Sequence, residues 1–115
     1  MFTNKDTKFF KEDEAIGLTE KLLIKADKGR EISGIPWIIT SGFRTVEKNK
    51  KVGGVENSAH LKGEAIDVLA KDDHTRFLII KGAIMAGFNR IEIAPFHIHL
   101  DIDETKDQEI AFFPK

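Results

Sequence analysis

The clearest pattern in the chain is a period of two near its C-terminal end. In His97-Ile98-His99-Leu100-Asp101-Ile102 every second residue is apolar, and the residues between them are ionisable. Strand side chains point alternately to opposite faces. The segment therefore reads as a strand with Ile98, Leu100 and Ile102 on one face and His97, His99 and Asp101 on the other. The same alternation occurs in Arg90 to Ala94, where Ile91 and Ile93 flank Glu92, and in Glu64 to Ala70, where Ile66 and Val68 flank Asp67. A tight connection through Pro95 makes the last two strands an antiparallel pair. With the three strands as neighbours, one sheet face carries Asp67, Glu92, His97, His99 and Asp101.

Elsewhere the apolar spacing is helical. From Asp13 to about Arg30, Ala15, Leu18, Leu22 and Ala26 recur every three or four residues among lysines and glutamates, which predicts an amphipathic helix broken by Gly29 and Gly34. Ile35 to Thr40 reads as a strand with Pro36 near its start. Gly42 and the polar run Arg44 to Lys51 predict a turn into a short charged helix, and Gly53-Gly54 opens a loop that reaches His60. Asp72 or Asp73 can cap a helix running through Phe77, Ile80 and Ile84 to about Ala86, with Gly87 as its stop. Gly82 inside it costs about 1 kcal/mol relative to Ala. The sum is an α+β fold: a small, mainly antiparallel sheet with helices packed on one face and a candidate zinc site on the other.

Length and composition narrow the picture. The 115 residues, without repeats or linkers, make one domain, 1–115. Hydrophobic residues at 41% suffice for a core. Lys+Arg number 18 against Asp+Glu 19, for a formal charge of -1, so no basic surplus points to nucleic acid or an anionic membrane. With no cysteine, any metal must be held by nitrogen and oxygen. Met1-Phe2-Thr3-Asn4-Lys5-Asp6 lacks the apolar stretch of a secretory signal, and no run reaches the roughly 18 apolar residues of a membrane span. The expectation is a chain made in the cytoplasm.

The polar sheet face has an ordinary explanation, since antiparallel sheets often have one wet side. That accounts well for Glu92 and Asp101 and less well for two histidines at i, i+2. His74, at a helix start, reads as a surface residue. Zinc takes histidine nitrogen and carboxylate oxygen in a four-coordinate shell and keeps one position for water when it is catalytic. His60 lies seven positions before Asp67, where a bend from loop to strand can bring both to one ion, and His99 can supply a third donor. Spacing alone leaves a metal site and a merely solvated face equally open.

Three segments in order change this: Ser41-Gly42-Phe43-Arg44-Thr45, then Asn57-Ser58-Ala59-His60-Leu61-Lys62-Gly63-Glu64-Ala65-Ile66-Asp67, then His97-Ile98-His99-Leu100-Asp101. Together they resemble the zinc D-Ala-D-Ala carboxypeptidase family, which includes phage endolysins of the L-alanyl-D-glutamate peptidase type and is similar in folding core to the vancomycin-resistance dipeptidases and the hedgehog signalling domain. The resemblance spans roughly Ile35 to Asp103. It implies that His60, Asp67 and His99 bind Zn2+, that Arg44 binds a carboxylate or carbonyl of the substrate, and that Ser58 orients the loop or a ligand. It implies a peptidoglycan stem peptide as substrate, cut as a D-Ala-D-Ala carboxypeptidase or an L-Ala-D-Glu endopeptidase would cut it. A phage lysis system or a virion would then bring the enzyme to the wall, unless it is an endogenous wall-recycling enzyme. Several relatives carry Glu or Asp three residues before the last His ligand, where this chain has Phe96. Glu92 is the first candidate for general base, His97 for polarising the carbonyl, and Asp101 for supporting a ligand. The rival readings are a non-catalytic zinc-containing module that binds cell wall or peptide, a metal-dependent nuclease, which the charge balance disfavours, and a purely structural protein. Oligomeric state stays open.

Overall fold

A computed structural model describes residues 8–114. The segment Met1 to Asp6, read above for a secretory signal, lies outside the described residues. In chain order the elements are α1 (Glu12–Ala15), α2 (Glu20–Ser33), β1 (Ile39–Ser41), α3 (Val46–Lys51), a single 3-10 turn (Ala59–Lys62), β2 (Ala65–Leu69), α4 (Asp73–Ala86), β3 (Arg90–Ile93), β4 (His97–Asp101) and β5 (Ile110–Phe112). The five strands form one sheet in the order β1-β2-β4-β3-β5. Every pairing is antiparallel except β3 with β5, which is parallel. Among the described residues no helix is long and apolar enough to cross a membrane.

The alternation read from the sequence sets the two faces. Ile66, Val68, Ile91, Ile98 and Leu100 point to one side and join the core with Leu22 and Ala26 of α2 and Ile79 and Ala83 of α4. The two long helices pack against each other over this face at close range. A Cβ built on Gly82 of α4 would lie 2.5 Å from the carbonyl oxygen of Gly29 in α2. One on Gly29 would lie 2.5 Å from the Trp37 ring. Gly29 therefore belongs to the helix interior as a contact point for the indole, and the expected break there does not occur. The Trp37 Nε1–H donates to Ser33 Oγ (3.0 Å), closing the layer beneath it.

Other boundaries shift for local reasons. The single amphipathic helix expected from Asp13 to Arg30 is two helices: α1 stops after one turn, and Thr19 starts α2 by accepting from Leu22 N–H through its hydroxyl. α2 continues to Ser33 and ends at Gly34. The strand expected at Ile35 to Thr40 is confined to Ile39–Ser41. The caps of α3 and α4 are Thr45 and Asp72, the latter accepting from Thr75 N–H at 2.7 Å. In α4 the buried positions are Ile79, Gly82, Ala83 and Ala86, while Phe77 and Ile84 face outward.

Candidate metal centre

The register of the sheet assembles the polar face. Asp67 on β2 and Glu92 on β3 are both directly opposite His99 on β4, one from each side. His97 lies two positions along β4, opposite Leu69. His60 arrives from outside the sheet, on the 3-10 turn that leads into β2. Gly63 ends that turn with φ +70, and a Cβ there would fall 2.0 Å from the Gly17 carbonyl oxygen. The turn thus demands glycine twice, for its left-handed backbone and for its close approach to the α1–α2 connection.

His60, Asp67 and His99 each bring one donor atom within 4.8 Å of the others, and among the described residues they are the one group of three or more that does so. His60 Nε2 is 3.3 Å from Asp67 Oδ1, and His99 Nδ1 is 3.0 Å from the same oxygen. Two zinc–donor bonds of about 2.0–2.1 Å at a tetrahedral angle put their donors roughly 3.3 Å apart. The two separations from Asp67 Oδ1 match an ion of that size, and two imidazoles with one carboxylate are a donor set that zinc uses in catalytic sites.

The far side of each ring selects the nitrogen that can face an ion. His60 Nδ1 is 2.7 Å from the Gly42 carbonyl oxygen, which can only accept, so Nδ1 donates there and Nε2 is the nitrogen turned toward Asp67. His99 Nε2 is 2.7 Å from Asp101 Oδ2, whose other oxygen accepts from Arg90 Nε (2.8 Å) and the Asp103 N–H (3.1 Å). That buried Arg90–Asp101–His99 series holds the proton on Nε2 and turns Nδ1 toward Asp67. Burial alone would lower the pKa of His99, but hydrogen bonds to Asp101 and Asp67 outweigh it and raise it to about 9. Burial likewise opposes ionisation of Asp67, yet its hydrogen bonds with His60 and His99 hold the carboxyl well below the usual range. Asp67 and Asp101 thus favour a proton on His99 in the place a cation would take.

The remaining candidates take definite places. Arg44 is mostly buried, and its guanidinium reaches Asp67 Oδ2 (3.4 Å), Ser41 Oγ (3.1 Å) and Asn49 Oδ1 (3.3 Å). Among the described residues three of its five N–H groups are used and two stay free. Ser58 is buried and caps the 3-10 turn, accepting from His60 N–H at 3.2 Å. Glu92 and His97 are half-buried on the same face, outside the three-donor group. Phe96 is 69% exposed at the β3–β4 connection, and His74 is exposed at the start of α4. Sequence reasoning missed Arg90 behind Asp101 and Asn49 behind Arg44. Arg90 was legible in principle, since it lies two positions before Glu92 on the same strand face.

What the fold and the donor set define first is a class: an α+β domain in which His60, Asp67 and His99 form one group that could hold a metal ion. The chain belongs to the peptidase M15 family, whose pattern its residues 3–101 match. The structure is also similar to the crystal structure of the L-Ala D-Glu endopeptidase ChiX of Serratia marcescens. The TM-score is 0.59 at 18% identity, over 87% of this chain and 93% of that one. No curated protein matches in sequence.

Proposed function

We propose that this peptidase is zinc-dependent and hydrolyses peptide bonds in the stem peptides of peptidoglycan. The observation that carries the zinc reading is the convergence of His60 Nε2, Asp67 Oδ1 and His99 Nδ1, each ring oriented by a partner on its far side. The wall substrate is supported by the family and by the fold shared with an L-Ala D-Glu endopeptidase.

When bound by these donors, zinc supplies Lewis acidity, lowering the pKa of water toward about 7 and polarising a carbonyl. The chain supplies the rest. Glu92, beside His99 on the open face, takes the proton of the attacking water and returns it to the leaving amine. His97, two positions before His99 on β4 and on the same face, donates to the carbonyl oxygen as negative charge develops there. Arg44 uses its two remaining N–H groups to hold a substrate carboxylate or carbonyl, so that attack occurs within an oriented complex. A groove of about 360 Å³ between α1 and β1, lined in part by Ile39, Thr40, Ser41 and Gly42, adjoins the centre at the Gly42 carbonyl that holds His60. It offers an extended peptide a path along the edge strand β1. Delivery to the wall by a phage lysis system or in a virion belongs to the same proposal.

The test is to incubate zinc-loaded protein with intact muropeptides, with and without a chelator, and to weigh the fragments. Chelator-sensitive cleavage is expected, and the masses name the bond as D-Ala-D-Ala or L-Ala-D-Glu. A second reading, a zinc-containing module that binds wall peptides without cutting them, draws on exposed Phe96 in place of a carboxylate. Stoichiometric zinc and wall binding without cleavage would favour it.

A further inference from the structure

Asp103 is fully buried and charged, and the reaction above makes no use of it. Its Oδ2 lies 2.9 Å from Lys62 Nζ and 3.1 Å from Lys106 Nζ, and its Oδ1 accepts from the Thr105 N–H (3.1 Å) and hydroxyl (2.6 Å). A buried carboxylate is retained at a cost unless it is paired in this way. The two lysines show what the pairing connects. Lys62 sits in the 3-10 turn, two residues after His60. Lys106 also donates to the Asn57 carbonyl oxygen at 2.7 Å, three residues before His60. One buried carboxylate is therefore tied to both flanks of the short segment that carries His60.

Asp103 is itself fixed to the strand that carries His99. It lies two residues past the end of β4, its N–H donates to Asp101 Oδ1 (3.1 Å), and the neighbouring Ile102 N–H donates to the Glu64 carbonyl oxygen (3.0 Å). Asp67 and His99 need no such support, because they face each other across a sheet ladder. His60 stands on a turn, and a useful metal centre holds its donors to about half an ångström. We propose that Asp103 is a positioning residue for the metal centre: with Lys62 and Lys106 it clamps the Asn57–Lys62 segment to the end of β4 and so fixes His60 against His99. In the Asp101-Ile102-Asp103 run each carboxylate then serves one histidine, Asp101 by orienting His99 and Asp103 by anchoring the turn of His60. The inference rests on the reading of His60, Asp67 and His99 as metal ligands.

Lys106→Met tests it, because it releases Asn57 while leaving Asp103 paired with Lys62 and the fold intact. Zinc affinity is measured by competition with a chromophoric chelator, the donor geometry by the visible spectrum of the Co2+-substituted protein, and the fold by thermal unfolding of the metal-free chain. The clamp predicts zinc binding weakened by about tenfold or more, a changed cobalt spectrum, a metal-free midpoint within a few degrees of wild type, and recovery in Lys106→Arg. Asp103→Asn should act in the same direction and more strongly. Wild-type zinc affinity and cobalt spectrum in Lys106→Met would overturn the proposal, as would a loss that Lys106→Arg does not restore. Failure of the wild-type protein to bind zinc would overturn the metal reading itself, and the clamp with it.

Discussion

His99 has carboxylates on both sides, and each contact does something different. Asp101 Oδ2, at 2.7 Å, fixes the ring and the proton on Nε2, while Asp67 Oδ1, at 3.0 Å, shares the nitrogen that faces the centre. In the metal-free protein their combined effect raises the pKa of His99 from 6.5 to about 9. A group whose pKa is raised by folding stabilises the folded state below its unfolded pKa, and that contribution is lost as pH rises through the folded value. Asp67, with its pKa lowered from 3.8, behaves oppositely: its contribution is present above that value and lost as pH falls. In chelator, stability to urea should therefore decline between pH 6.5 and about 9, and again below pH 3.8. Asp101→Asn should remove much of the alkaline decline, by leaving His99 with one anionic partner. An unchanged profile in that variant would mean that Asp101 does not control His99. That Asp67 and His99 share one face was readable in the sequence because strand alternation puts them there whatever the loops do, whereas their grouping with His60 as candidate ligands came from the motif resemblance. The roles of Ser58 and Arg44 were less readable. Their hydrogen bonds to the His60 N–H and to Asp67 Oδ2 depend on how two loops fold back over the sheet, which no local pattern encodes.

The elements divide into a scaffold and a mount. β2, β3 and β4 carry both the core face and the ionisable face, so the residues that fold the sheet also set the register of the centre. This is why their extents were legible within a residue or so, and why β5 was not. Ile110–Phe112 has only three residues, and it pairs parallel to β3 after a long return from β4. α4 was found but its face was not. Its run Phe77-Leu78-Ile79-Ile80-Lys81-Gly82-Ala83-Ile84-Met85-Ala86 is apolar almost all round, so periodicity cannot choose a side. Steric fit chooses instead: the small residues Gly82, Ala83 and Ala86 turn inward, where α2 approaches to backbone contact, and the bulky Phe77 and Ile84 turn out. Gly82→Ala should therefore destabilise the protein by about 1–3 kcal/mol through overpacking, measured by urea denaturation, although alanine is the better helix former. A stability gain would show that the α2–α4 contact has room to spare.

On the scale of the whole molecule, the core supports one face of a single sheet and the other carries Asp67, Glu92, His97 and His99. Binding of an ion by the folded state alone adds RT ln(1 + [L]/Kd) to stability. Zinc at a hundred times its dissociation constant should thus stabilise the protein by about 2.7 kcal/mol, raising its unfolding midpoint by roughly 10–20 °C for a domain of this size. Calorimetry with and without chelator checks this, and a midpoint that ignores zinc would count against a built site. The central claim, that His60, Asp67 and His99 form one zinc centre responsible for peptide cleavage, is tested most directly by one paired measurement. Zinc content and hydrolysis of a defined stem peptide are determined on the same samples of wild type and His99→Ala. The account predicts one zinc per chain with cleavage in the first and neither in the second, while the variant keeps its fold. Undiminished cleavage by His99→Ala would contradict it.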